Sequence, residues 1–135
     1  NAGVAVYATL EELPDAKHCQ LFETNYWGTV HCATEALPHL KQNGGALIVT
    51  GSIASQMPSP VLSAYTASKH AVKGYIDSLR LELIHEKAPV SVTLIQPSGI
   101  NTPFGEHALN MMDGRGKVPP PATARSTIRA ICSHS

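Results

Sequence analysis

The chain has 135 residues, the size of one domain or a portion of one. Ten Lys and Arg balance ten Asp and Glu, and a formal charge of zero gives no support for nucleic acid or any other polyanion as a partner. No apolar run approaches the ~20 residues of a membrane-spanning helix. No signal peptide is read at the opening, and Cys19, Cys32 and Cys132 fit neither a disulfide framework nor a metal site. They read as reduced, structural thiols of an intracellular, cytoplasmic protein. His18, His31, His39, His70, His85, His107 and His134 are scattered without ligand spacing, so no metal is expected.

In chain order, Asn1-Ala2-Gly3 comes first, and Pro14 with Asp15 marks a helix start. Leu21, Phe22, Cys32, Ala33, Ala36, Leu37 and Leu40 carry one helical stripe over about 14–42, which Asn43-Gly44-Gly45 stops. Ala46-Leu47-Ile48-Val49 is wholly apolar, the pattern of a strand buried on both faces of a parallel sheet. Ser63 is a candidate cap for a second long helix, about 63–88, with apolar residues at Val72, Tyr75, Ile76, Leu79 and Leu83. Pro89 ends it. Val90-Ser91-Val92-Thr93-Leu94-Ile95 predicts a second strand, broken by Pro97-Ser98-Gly99. Beyond Ile100 the pattern is irregular, with a short helix expected at Met111-Met112 and a last helix over 122–133. Helices alternating with strands imply a parallel α/β sheet with right-handed crossovers, whose ligand site lies beyond the carboxyl ends of the strands. Ser52 and Pro97 fall just past those ends.

The most telling run is Tyr65-Thr66-Ala67-Ser68-Lys69. Positions i and i+4 share a helix face, which sets a phenol beside an ammonium. A neighbouring cation favours the phenolate and is expected to lower a pKa that otherwise lies near 10. A shift of roughly three units would need about 4 kcal/mol. Ser52, thirteen residues before the tyrosine, could hold a substrate oxygen while Tyr65 moves its proton.

These residues together resemble the short-chain dehydrogenase/reductase family. Asn1-Ala2-Gly3 is similar to its Asn-Ala-Gly motif at the end of the fourth strand, and Asn25 in Thr24-Asn25-Tyr26-Trp27-Gly28 matches its catalytic asparagine. Leu37-Pro38 matches the usual end of that helix, Ser52 the catalytic serine, and Tyr65 with Lys69 the Tyr-x-x-x-Lys signature. Pro97 and Thr102 match the Pro-Gly-x-x-x-Thr motif, with Ser98 in place of the usual glycine and Gly99 one place later. The first three strands of the family and their glycine-rich turn have no counterpart, so residues 1–135 read as the C-terminal, catalytic and substrate-binding part of one Rossmann-like domain. The fold implied is a doubly wound parallel sheet with flanking helices that lacks its N-terminal βαβ half.

The resemblance implies an oxidoreductase that transfers a hydride between NAD or NADP and an alcohol or carbonyl substrate. Tyr65 would donate or accept the proton. Lys69 would lower its pKa and bind the cofactor ribose, and Ser52 would orient the substrate oxygen. Asn25 would hold a water that links Lys69 to solvent. Asn1, Ala2, Gly3, Pro97, Ser98, Gly99, Ile100 and Thr102 would join Tyr65 and Lys69 in contacting the cofactor. Met57, Pro58 and Val61 are candidates for the substrate pocket, and Phe104, Met111 and Met112 belong to the region that covers the substrate, their apolar character pointing to a hydrophobic one. A homodimer or homotetramer packed through the two long helices is also implied. Two alternatives stand beside this reading. One is a nucleotide-sugar epimerase or dehydratase, which would return the hydride to its substrate. The other is an inactive fragment or binding module without the glycine-rich motif. Net consumption of NAD(P)H separates the first, and a cofactor titration on residues 1–135 separates the second; weak or no binding is expected there.

Overall fold

The structure is a computed structural model that describes residues 3–98 and 108–112 and the backbone of 129–132. Strand β1 (Val6–Tyr7) leads to helix α1 (Asp15–Phe22), a π-turn (Glu23–Trp27) and helix α2 (Gly28–Asn43). Strand β2 (Gly45–Thr50), a 3-10 turn (Ile53–Ser55) and helix α3 (Ser63–His85) follow. Then come strands β3 (Val90–Gln96), β4 (Leu109–Asn110) and β5 (Arg129–Cys132). The predicted order of helix, strand, helix, strand holds.

Strands β2 and β3 pair in parallel from Gly45 opposite Val90 to Thr50 opposite Ile95. The α3 crossover between them is what a parallel neighbour requires. Strand β1 pairs in parallel with β4 in a separate two-stranded ladder. α2 ends where Gly44 adopts φ 69°, a backbone that favours glycine.

Alternate residues of the sheet face α3. Val49, Val92 and Leu94 pack with Val72, Ile76, Leu79 and Leu83 of the helix, and Tyr26 and Leu37 close the same core from the first helical segment. Each such side chain contributes roughly 1.5–3 kcal/mol by leaving water. A second cluster joins Val6, Ala8, Leu13, Leu21 and Ala64, with Tyr65 and Met111 against it. The second cluster holds the first turn of α3 and the first cluster holds the turns from Val72 onward.

Several expectations give way. The stripe over 14–42 is not one uninterrupted α-helix, because the π-turn at Glu23–Trp27 inserts an extra residue into it. Ser63 is the first helical residue rather than the cap; Leu62 holds the cap position with no side-chain bond. Ile48 is 63% exposed, so β2 is buried on one face only: α2 and α3 lie on the other side, and no described element covers this one. The last helix is overturned over Arg129–Cys132, which forms a strand antiparallel to β3 and makes the sheet mixed. An edge strand offers a row of unpaired N–H and C=O groups, and β5 satisfies that row on β3. Met111 and Met112 are not helical. They follow β4, and Met111 N–H extends the ladder to the Tyr7 carbonyl at 2.9 Å.

Candidate active site

The site forms where the β2–β3 ladder runs out. Gly51 N–H donates to the Ile95 carbonyl at 2.7 Å and Ile53 N–H to the Pro97 carbonyl at 2.9 Å, so Ser52 lies between two fixed points. A Cβ on Gly51 would stand 3.1 Å from Leu94 Cδ1, and glycine lets the chain end lie this close to β3. Ser52 is extended, with φ −164° and ψ 154°, and its Oγ accepts from Ala54 N–H at 3.1 Å as the cap of the 3-10 turn.

Tyr65 arrives from the first turn of α3, and a side-chain hydrogen bond joins it to Ser52. Lys69 lies one turn further, buried at 7% exposure, with Nζ 5.7 Å from the centre of the Tyr65 ring. The three residues thus share one cleft. Their electrostatics differ from the expectation. Burial pushes the Tyr65 hydroxyl above its ordinary pKa, the Ser52 bond pulls it back in part, and Tyr7 adds to the rise. Burial also lowers the Lys69 ammonium. The cation stands over the ring face and is itself desolvated, and it is not among the groups that move the phenol in the free chain.

Asn25 is 2% exposed and sits inside the π-turn. Its Nδ2 donates to the Val4 carbonyl at 2.9 Å and to Ser68 Oγ at 3.1 Å, and its Oδ1 accepts from Val4 N–H at 2.9 Å. Ser68 Oγ in turn donates to the Tyr65 carbonyl at 2.8 Å. Both amide hydrogens are therefore used in holding the approach to β1 against the turn that carries Tyr65. The Asn25 carbonyl accepts from Thr29 Oγ1 at 2.9 Å. A cleft of about 350 Å³ opens beside Lys69, lined by Thr24, Thr29 and Cys32 on the helical side and by Val49 and Thr50 of β2. Cys32 and Cys19 are exposed free thiols rather than buried ones.

Of the other predicted residues, Gly3 is exposed, and Pro97 and Ser98 are half-buried just past β3. Asn1, Ala2, Gly99, Ile100, Thr102 and Phe104 lie outside the described residues. Met57 is 65% exposed and Pro58 is exposed. Val61 is half-buried at φ 57°, a costly conformation for a β-branched residue, and its carbonyl accepts from Ala8 N–H at 3.0 Å. No group of three or more His, Cys, Asp and Glu among the described residues could hold a metal ion. No described helix is long and apolar enough to cross a membrane.

A profile of the short chain dehydrogenase family matches residues 1–113. The chain belongs to the short chain dehydrogenase family. It is 35% identical, over 99% of its length, to the uncharacterized oxidoreductase YxnA of Bacillus subtilis, of which it covers 40%. It is 43% identical to a hydroxysteroid 11-beta-dehydrogenase 1-like protein of Xenopus tropicalis, over 59% of this chain and 28% of that one. An alcohol dehydrogenase from the archaeon Thermococcus sibiricus, solved with 5-hydroxy-NADP, superposes with a TM-score of 0.73 at 27% identity, over 81% of this chain and 45% of that one. The chain thus spans less than half the length of these relatives. Its fold is the Rossmann-like α/β fold of short chain dehydrogenases, present in part.

The residues of this short chain dehydrogenase suit a nicotinamide cofactor at the ribose. Lys69 lines the cleft of about 350 Å³, and burial of the rest of its side chain disfavours the bare ammonium. A ribose diol in that cleft would offer hydroxyl oxygens for the ammonium to donate to. Sequence reasoning missed Ser68, Ser55, Gln56 and Gln96. One signal was available: Gln96 continues the buried row Val92, Leu94, where an amide stands out.

Proposed function

We propose that this site interconverts an alcohol and a carbonyl, with Tyr65 moving the proton and NAD or NADP carrying the hydride. The hydrogen-bonded Ser52–Tyr65 pair with the Lys69 cation against the ring supports this reading above all. In reduction, the substrate oxygen rests on the Ser52 hydroxyl and takes the Tyr65 proton as hydride reaches the carbonyl carbon. In oxidation, Tyr65 takes the proton back. The cofactor, when bound, supplies or removes the hydride; the chain supplies the proton, the positioning and a site with little water. Lys69 binds the ribose hydroxyls. Once it is paired there, its charge favours the phenolate left after proton donation. Asn25 acts through Val4 and Ser68, holding the Tyr65 turn in place, and its carbonyl is the group available to a proton relay. The upward shift of Tyr65 keeps the phenol protonated at neutral pH in the free chain, the form that reduction consumes.

Residues 1–135 form the catalytic and substrate-binding part of a larger Rossmann-like domain in this reading, and alone they bind cofactor weakly or not at all; tight binding in a titration would overturn that. Assembly into a homodimer or homotetramer through the two long helices is supported by Trp27, Leu81 and Ile84, which are 44%, 67% and 59% exposed there. A monodisperse monomer of the whole protein in light scattering would disprove it.

The proton role is tested in the whole protein with a carbonyl panel and both cofactors. Tyr65→Phe is expected to lower kcat by roughly 10²–10⁴-fold, the usual range for general acid–base catalysis. Near-normal turnover would refute it.

A further inference from the structure

Gln96 is the last residue of β3, only 1% exposed, on the row where Val92 and Leu94 enter the core. An amide there costs free energy unless its hydrogen-bonding groups are matched. They are matched by the loop that follows Ser52. Gln96 Oε1 accepts from Gln56 Nε2 at 2.6 Å, and Gln96 Nε2 donates to Ser55 Oγ. The Ser55 hydroxyl, with its oxygen held this way, donates to the carbonyl of Ser52 at 2.7 Å. Ser55 N–H reaches the same carbonyl at 3.0 Å. Ser55 is 3% exposed and Gln96 1%, so water does not compete for the bond between them. A continuous chain of donors thus runs from the end of one strand to the backbone of the residue whose side chain meets Tyr65.

We propose that Gln96 is a positioning residue for the reaction: through Ser55 it fixes the Ser52 backbone, and so the place from which Ser52 Oγ meets the substrate oxygen and Tyr65. This inference rests on the proton role given above to Tyr65 and Ser52. A leucine would fill the same place in the core and would bring no donor. The amide gives the Ser55 hydroxyl one allowed direction, toward Ser52, because the Gln96 N–H occupies its acceptor side. A satisfied buried network of this kind holds one arrangement against its alternatives.

Gln96→Glu separates these roles. It keeps the volume and the bond from Gln56, but a carboxylate only accepts, so the Ser55 proton turns to Glu and leaves the Ser52 carbonyl. Ser55→Ala removes the same link with less disturbance and decides the matter if the glutamate variant does not fold. Both are made in the whole protein with its cofactor, beside Tyr65→Phe. For each variant kcat is expected to fall roughly tenfold or more, since a small misplacement of a reacting group has large effects. Cofactor Kd moves less than kcat in Ser55→Ala, because Lys69, Pro97 and Ser98 are untouched there. The pH profile of alcohol oxidation moves to higher pH, because the Ser52 bond is what draws the Tyr65 pKa down against burial. The double variant is no worse than the worse single one, as expected of two links in one chain. An unmoved profile, whether or not kcat falls, overturns the proposal, and so does additivity of the two losses. If instead Tyr65→Phe keeps its turnover, the Tyr65 reading fails and not this link alone.

Discussion

The two faces of the β2–β3 sheet are made from the same kinds of residue and have different surroundings. On one, Val49, Val92 and Leu94 are buried beneath α3. On the other, Ala46, Ile48, Thr50 and Ser91 are exposed, and Thr93 and Ile95 are half-covered. Residue type does not decide which face is dry; the layers that lie against the sheet do. The catalytic candidates belong to the covered side. α3 brings Tyr65 and Lys69, and the same helix buries Val72, Ile76, Leu79 and Leu83. Site and core therefore share one element, and damage to the core there reaches the site.

The strongest way to break this contrast is to cut one isoleucine on each side. Ile76 is fully buried, and Ile76→Ala is expected to lower stability in urea by about 2–5 kcal/mol. Ile48→Ala on the bare face should stay within about 0.5 kcal/mol. Comparable losses would show that something covers the second face in solution.

A smaller effect sharpens the contrast at the cleft. Lys69→Met removes an ammonium that burial disfavours, and should stabilise the cofactor-free chain at pH 7 by on the order of 1 kcal/mol. The pH dependence has a definite sign. The folded pKa of Lys69 lies below 10.5, so the unfolded chain holds that proton longer and stability rises with pH in the window below 10.5. The folded pKa of Tyr65 lies above 10.0, so the unfolded chain loses that proton first and stability falls with pH above 10.0. Urea midpoints across pH should show the rise in the native chain and its loss in Lys69→Met. A rise that survives the substitution would assign it to another group.

Much of this was legible in the residues because it is local. The α3 stripe and the breaks at Gly44, Pro89 and Pro97 fix the long elements, and i, i+4 spacing sets Lys69 beside Tyr65. The short pieces were not legible. Val6–Tyr7 and Leu109–Asn110 are two residues each, too brief for any period, and exist because they pair with one another. β5 forms against a free strand edge, which no helical or strand pattern within 122–133 announces. The apolar run 46–49 records what the strand suits rather than what covers it here. Tyr65 moved the other way from its expected shift because helix spacing gives neighbours and not depth, and depth sets the dominant effect. The Gln96 links join residues 40 and 41 apart, and the Asn25–Ser68 bond spans 43, distances at which a single sequence carries no pairing signal.

The π-turn carries a consequence for how this molecule tolerates length change. Gly28 N–H reaches back five residues to the Glu23 carbonyl, where an α-helix would reach four. Deleting one residue between Glu23 and Trp27 would restore ordinary winding at little local cost. It would also turn everything on one side of the cut by about 100° relative to the other. Tyr26 and Leu37 would leave the core together, or Asn25 would lose Val4 and Ser68. A shorter helix would thus be more regular and less able to hold the tyrosine, so the irregularity is a spacer whose length the rest of the chain is built around.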